Sequence, residues 1–396
     1  MPSCAIVGTC SQTELPVVVD DDPHGWLTRG CPRFAVVAAS TFLRAPSSGD
    51  AMSSMPLLLA SCLATLVSAG GGADLHPAPA PLGLWWHAPV LSGGGYGSEA
   101  NALLVGLAGL GADAPPLRAT HHGDSLDPDF VRGLPPTTRD VLDALLRSRR
   151  PAPADAIVVC HSEPGAWAPA LYQTSPCPPR GYAPNDHAYV VGRTMFETDR
   201  LPDGWSERLN NVDEVWVPTH FHRAIFEDAG VLNVKVVGEP VDTDRFTPDG
   251  PRYDIASDEF LVLSVFKWER RKGWDILLRA WHKAKIDGVL VVVTNAYHST
   301  SDFARQMETY VTETLGDDRG LAALGKVKIL SSLSDADMEA LYRRADLVAL
   351  PTRGEGWGRP HVEAMASGTP IVATNWSGPT AYLDETCGFP LAWTGL

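Results

Sequence analysis

Cysteine is scarce in this 396-residue chain. There are seven, Cys4, Cys10, Cys31, Cys62, Cys160, Cys177 and Cys387, with no Cys-x-x-Cys and no histidine pair at zinc spacing. That pattern excludes the usual structural zinc modules, and so few thiols argue against a disulfide framework. Positive charge is also in short supply, with 32 Lys+Arg against 47 Asp+Glu and a formal net charge of −15. An acidic surface argues against nucleic acid and anionic membrane as partners, because both reward clustered cations. An uninterrupted apolar run of the ~20 residues that a transmembrane helix requires is absent too, so no stable membrane span is expected.

What is present suits a two-domain enzyme. The chain is longer than one core usually organises, and 44% apolar composition with 12 Trp is ample for burial. Many of the 36 Gly and 33 Pro lie before residue 82 or between 111 and 184, where long loops are expected. Residues 1–81 read as a leader of low order. Within it, 52–70 resembles a secretory apolar region followed by three glycines, although it is internal and lacks a basic region close upstream. It points to the secretory pathway. Against that, Asn375-Trp-Ser377 fits the glycosylation pattern but falls where a glycan would obstruct the predicted site, which favours the cytosol.

The most informative run is Glu355-Gly-Trp-Gly-Arg-Pro-His-Val-Glu363, between an apolar segment ending at Pro351 and a small-residue segment ending at Gly368. The apolar segment predicts a buried parallel strand. Gly354, Gly356 and Gly358 then let the backbone turn, and Pro360 opens a helix at its favoured first position. Unpaired N–H groups and the positive end of a helix dipole favour an anion at such a junction, typically a phosphate. A carboxylate there also accepts hydrogen bonds from neutral hydroxyls, so the junction suits a sugar or ribose beside a diphosphate. Taken alone, Glu363 reads as a dipole-stabilising acid.

A second strand-loop-helix unit lies upstream. The apolar run Phe260 to Phe266 gives way to a polar loop, and then Trp274, Ile276, Leu277, Leu278 and Trp281 suit one buried helix face. Phe266, Trp268, Trp274 and Trp281 are expected in the core. Lys267, Arg270, Arg271 and Lys272 crowd the helix start, where cations oppose the dipole and repel one another. Either the long side chains carry these charges into water, or a bound polyanion makes the cluster favourable. A second anion-suited junction in the same predicted sheet favours the polyanion.

After residue 82, short apolar strands alternate with helices. Strands are expected at 84–90, 156–161, 187–192, 214–217 and 234–238, and a second set at 260–266, 289–294, 327–330, 347–350, 370–373 and 388–391. Such alternation predicts parallel sheets covered by helices, with ligands outside the carboxyl ends of the strands. Ser92 to Ser98 reads as a glycine loop before a helix from Glu99 to Leu110. Gly93, Gly94 and Gly95 form either a flexible turn or a close approach of backbone to ligand. The loop lacks the Gly-x-Gly-x-x-Gly spacing, which ranks a dinucleotide-dependent oxidoreductase low. His161, at a strand end, is either a hydrogen-bonded structural residue or a polar group in the cleft. Arg193 and Glu197 form either part of an acceptor pocket or a buried ion pair.

From Asp242 onward these motifs resemble the donor-binding half of retaining glycosyltransferases of the GT-B fold, the group 1 or family 4-like enzymes. The hallmark is two Glu with seven residues between them, here Glu355 and Glu363. The resemblance implies an α/β chain of two doubly wound Rossmann-like domains facing across a cleft: an acceptor-side domain at 82–240 and a nucleotide-sugar donor domain at 241–396, the latter truncated. It implies sugar transfer from a nucleotide-diphosphate sugar to a hydroxyl acceptor with retention, needing neither a metal nor a further cofactor. By the same resemblance Glu355 contacts the donor sugar at the catalytic centre and Glu363 binds ribose. Gly356, Trp357 and Gly358 line the donor site, and Lys267 and Lys272 clamp the diphosphate. His161 stands near the transferring sugar, and Gly94 and Gly95 face the centre from the acceptor side. Lys267 departs from the family's Arg, keeping the charge and losing the bidentate fork. The alternative reading is a catalytically silent nucleotide-sugar-binding relative lacking its carboxy-terminal brace.

Overall fold

The computed structural model describes residues 82–186, 188–255, 258–295 and 302–393. The leader at 1–81, its signal-like stretch and His187 lie outside the described residues. The first sheet holds β1 (Gly83–Ala88), β2 (Leu117–His121), β3 (Ala156–His161), β4 (Tyr189–Arg193), β5 (Glu214–Val217) and β6 (Val234–Val236). The second holds β7 (Phe260–Lys267), β8 (Gly288–Asn295), β9 (Lys326–Leu330), β10 (Leu347–Leu350), β11 (Ile371–Thr374) and β12 (Phe389–Leu391). Every pairing is parallel. The α-helices are α1 (Gly95–Ala108), α2 (Pro128–Gly133), α3 (Pro136–Arg147), α4 (Trp205–Leu209), α5 (His220–Asp228), α6 (Trp274–Ala284), α7 (Phe303–Thr309), α8 (Asp335–Arg344) and α9 (Arg359–Ala366).

Each sheet is buried on both faces. In the second, Leu261, Leu263, Val289 and Val291 face one core with Leu341 and Tyr342, whereas Val262, Leu290 and Val292 face the other with Leu278 and Trp281. That alternation is the period-2 consequence of side chains pointing to opposite faces of a strand. Phe266, Trp268 and Trp281 are buried as expected, and Trp274 stacks on Trp268 at 5.0 Å, half-exposed beyond it.

Strand order places the ligand region. The second sheet runs β12-β11-β10-β7-β8-β9, so the chain builds outward from β7 to one edge and then returns to the other side through β10. A doubly wound sheet opens a crevice where that reversal occurs, outside the carboxyl ends of the two central strands. The loops leaving β7 and β10 are therefore neighbours. In the first sheet, ordered β2-β1-β3-β4-β5-β6, the reversal falls between β1 and β3, whose ends carry the glycine loop and His161.

Several expectations are corrected. The stretch from 111 to 184 holds β2, α2, α3 and β3, with a long connection free of α-helix and strand after β3. Pro128 and Pro136 sit in the first turns of α2 and α3, where a missing N–H costs nothing, so prolines that read as loop markers are helix starts. Helix α1 begins at Gly95 instead of Glu99, because a side chain at Gly97 would collide with the carbonyls of Pro89 and Ser92 and only glycine lets the helix start there. Helix α9 begins at Arg359, putting Pro360 second. A disulfide also joins Cys160 to Cys177, with Cα atoms 5.6 Å apart and both residues buried. The β3–β4 connection folds back over the strand end to bring them together, which spacing alone does not show.

Buried neutral histidines set an acid limit. Burial, more than any charge, drives His87 and His222 down to about 3 and His122 to about 4. The unfolded chain binds protons on these rings below about pH 6.5, whereas the folded chain does not, so stability falls as pH drops from there toward 4. Each ring contributes up to about 1.4 kcal/mol per pH unit. The midpoint of thermal unfolding should therefore be lower at pH 5 than at pH 7.5, and equal midpoints would contradict this account.

Candidate donor site

The exit of β7 and the start of α6 bring Arg271 and Lys272 against the exit of β10. Gly273 makes this possible: its φ of 73° is open to glycine, and a side chain there would collide with the carbonyl of Pro351. The two loops are then stitched together. The Arg353 amide donates to the Arg271 carbonyl at 2.7 Å, and the Arg353 guanidinium grips Asp275 of α6 with two bonds of 2.8 Å. A bidentate fork of this kind fixes orientation as well as distance.

Within that frame Lys272 Nζ donates to both oxygens of Glu355, at 2.9 and 2.7 Å. Arg271 donates to the Gly354 carbonyl at 2.6 Å and approaches Glu355 Oε2 at 3.5 Å. The Glu355 amide donates to Ser377 Oγ at 2.9 Å. Glu355 is buried, and burial pushes its carboxyl up, but Lys272 and Arg271 outweigh burial and hold it below the usual carboxylate range. It is ionised at neutral pH. Lys267 stands exposed at the end of β7.

Glu363, on the first turns of α9, accepts from the Tyr342 hydroxyl at 3.0 Å, with Arg359 Nε 3.6 Å away. Burial raises its carboxyl, against Arg359 and the Tyr342 bond. Trp357 packs beneath the cleft: its ring lies 5.0 Å from that of Tyr382, whose hydroxyl donates to the Trp357 carbonyl. Of the loop glycines only Gly358 has a positive φ, 93°. Gly354 and Gly356 serve another purpose, because side chains there would strike the Glu197 carbonyl and the Met195 side chain across the cleft.

Across that contact lies the first sheet. Arg271 also meets Glu197 at 3.2 Å, an ion pair between the two halves. The Tyr96 hydroxyl, just past Gly94 and Gly95, is 3.0 Å from Thr194 Oγ1 and donates to the Met195 carbonyl at 3.2 Å. The glycine loop, the β4 exit and the Glu355 loop thus converge. Gly93 and Gly95 are exposed, and a side chain at Gly95 would meet open space.

His161 is placed differently from the catalytic expectation. It is wholly buried, with Nδ1 accepting from Trp86 Nε1 at 3.0 Å and Nε2 against Glu99 Oε2 at 2.9 Å. With both ring nitrogens occupied, it is the structural histidine of the two readings. Arg193 completes the cluster through Nε at 2.8 Å from Glu99 Oε1. Its partner is Glu99, not Glu197, because Arg193 ends β4 and points inward while Glu197 lies on the exit loop facing the other half. Breaking one member of a buried ion cluster typically costs about 3–5 kcal/mol. Arg193→Met should lower the unfolding midpoint by roughly 6–20 °C; a shift of a degree or two would show that the charges are not coupled as drawn.

Sequence reasoning missed Arg271 as a site residue, along with Ser377, Arg353 and Asp275. Only the basic cluster around Arg271 gave a signal. It also missed Glu239, buried beside Arg359 at 3.8 Å, whose carboxyl is raised first by burial and then by the nearby Glu99 charge.

Residues 249–387 match the family described as glycosyl transferases group 1. A D-inositol 3-phosphate glycosyltransferase of Mycolicibacterium smegmatis is 38% identical over 161 residues, 39% of this chain and 35% of that protein. One of the same description from Mycobacterium bovis is 37% identical over 216 residues, 52% of this chain and 41% of that protein. The chain thus spans well under half the length of these relatives. Among solved structures, Anabaena HepE in complex with UDP-glucose superposes with a TM-score of 0.54 at 15% identity, covering 78% of this chain and 85% of that one. At that identity the likeness concerns the fold, and it agrees with the GT-B plan of two Rossmann-like sheets. No described helix is long and apolar enough to cross a membrane.

Proposed function

We propose that this chain transfers a sugar from a nucleoside-diphosphate sugar to a hydroxyl-bearing acceptor, with retention at the anomeric carbon. The observation that carries the reading is the Lys272–Glu355 pair at the reversal point of the second sheet, where the backbone of two loop exits and a helix start converge. HepE, named in complex with UDP-glucose, has the same fold. Relatives named as D-inositol 3-phosphate glycosyltransferases are similar to part of this chain, and residues 249–387 match the family described as glycosyl transferases group 1.

In this proposal the donor diphosphate takes Lys272 from Glu355. Lys272 and the amides at the start of α9 then stabilise the charge growing on the departing diphosphate, and preorganised electrostatics supplies most of the acceleration. Glu355, released from its lysine, accepts hydrogen bonds from the donor sugar and holds the anomeric carbon in place. Glu363 receives the ribose hydroxyls. The acceptor enters from the side of Gly94 and Gly95, and its proton passes to the leaving phosphate on the same face. His161 has no part in this reaction.

A screen of nucleotide sugars for diphosphate release, with Glu355→Ala as control, tests the proposal. Release by the wild type and not by the variant supports it. Nucleotide-sugar binding without release against any acceptor offered would instead favour the silent, binding relative.

A further inference from the structure

Arg359 is the first residue of α9, a place where a cation opposes the helix dipole. On an exposed helix its pairing with Glu363, one turn further on, would be an ordinary surface contact of small value. This one is not exposed. The side chains of Arg359 and Glu363 are each 16% exposed, and that of Glu239, which the same guanidinium faces, is 2% exposed. A cation set against its own helix and turned into the protein calls for a reason beyond solubility.

The contacts give one. Two different groups hold the two oxygens of Glu363: the Tyr342 hydroxyl donates to Oε2 at 3.0 Å, and Arg359 Nε lies 3.6 Å from Oε1. Contact at both oxygens fixes the plane of a carboxylate as well as its position. Its remaining lone pairs then point in set directions, as recognition of the two adjacent hydroxyls of a ribose requires. Burial raises the Glu363 carboxyl, and Arg359 is the foremost charge opposing it. Arg245 also reaches Glu363 electrostatically, but it is engaged at 2.9 Å by both Asp335 and Glu339.

The far side of the Arg359 guanidinium meets the crossover from β6 to β7. Nη1 lies 3.8 Å from Glu239 Oε2 and donates to the Pro240 carbonyl at 3.4 Å. The same stretch packs on the donor loop, because a side chain at Gly238 would come within 3.5 Å of the Trp357 ring. One planar group thus spans the acid on α9 and the chain that joins the two sheets, which a point charge could not do.

We propose that Arg359 is a positioning residue: Nε orients Glu363 toward the ribose of a nucleoside diphosphate while Nη1 anchors that arrangement to the crossover, so that preference for ribose over 2′-deoxyribose depends on this guanidinium. The inference rests on the reading of Glu363 as the ribose acid. Arg359 acts through Glu363 and does not itself touch the nucleotide.

Isothermal titration calorimetry of the full chain with UDP and dUDP, and with GDP and dGDP, measures the ratio of deoxyribonucleotide to ribonucleotide dissociation constants. For the pair it binds, the wild type should favour the ribonucleotide by about tenfold or more, the value of one hydrogen bond to a charged group. Arg359→Met should bring the ratio close to one. Arg359→Lys keeps the charge and loses the fork, and it should lower the ratio by about threefold or more. A loosened fold, or an arginine that touched the phosphates, would weaken both nucleotides alike and leave the ratio unchanged. A wild-type ratio in either variant overturns the proposal.

Glu363→Ala separates this inference from the reading beneath it. That variant should lose the preference too. If the wild type shows no preference, or Glu363→Ala retains it, ribose is not read by Glu363, and both fail together. A preference that Glu363→Ala loses and the Arg359 variants keep sinks the role of Arg359 alone. A folded wild type that binds none of the four nucleotides overturns the donor-site reading as a whole.

Discussion

Lys272→Ala should weaken nucleoside-diphosphate binding by about two orders of magnitude and reduce sugar transfer below detection, because truncating one partner of a desolvated charge contact typically costs 2–5 kcal/mol. Lys272 donates two hydrogen bonds to Glu355 in the free protein and is the cation best placed to reach a diphosphate at the β7 and β10 exits. Arg271 cannot substitute for it. Its guanidinium is already divided among the Gly354 carbonyl, Glu269, Glu197 and Glu355. Lys272→Arg keeps the charge on a longer, planar fork, so nucleotide binding should return in part while turnover stays low. Equilibrium titration of UDP and GDP followed by tryptophan fluorescence reads the effect directly. Affinities for both nucleotides within threefold of wild type in Lys272→Ala would remove this residue from the donor site.

Glu355→Gln separates sugar from diphosphate. Its effect on kcat/KM should be a loss of about 10²–10³-fold, the range seen when a positioning or electrostatic contact at the reacting centre is removed. Its effect on binding of the free nucleoside diphosphate should have the opposite sign. In the wild type Lys272 must leave a carboxylate at 2.7 Å before it can meet phosphate, and in the variant it need not. Nucleotide without sugar should bind the Gln variant as tightly as the wild type or tighter. Parallel steady-state kinetics and calorimetry check both halves. If nucleotide affinity falls as far as in Lys272→Ala, Glu355 acts on the diphosphate and the division of labour is wrong.

The parts of the chain legible from sequence were those in which one strand-loop-helix unit carries its own information. Phe260–Lys267 and Leu347–Leu350 are apolar runs bounded by glycine and charge, and both appear as central strands. That their exits adjoin follows only from strand order, which composition does not encode. The failures share a cause, namely contacts between residues far apart in the chain. His161 meets Glu99 62 residues away, and Arg193 meets Glu99 across 94, so strand-end polarity alone could not distinguish a buried cluster from a cleft. Gly354 and Gly356 read as turn glycines, yet what they accommodate is Glu197 and Met195 of the other sheet. Pro128 and Pro136 misled in a local way, because proline at a helix start and proline in a loop look alike until the helix behind it is recognised.

A crystal structure of the protein with UDP or GDP bound is the most direct test of the central claim, that one diphosphate lodges where the β7 and β10 exits meet. The account predicts a phosphate oxygen within hydrogen-bond distance of Lys272 Nζ and of a backbone amide between Gly356 and Arg359, with the lysine withdrawn from Glu355. A diphosphate bound elsewhere, with the Lys272–Glu355 bonds unbroken, would contradict it.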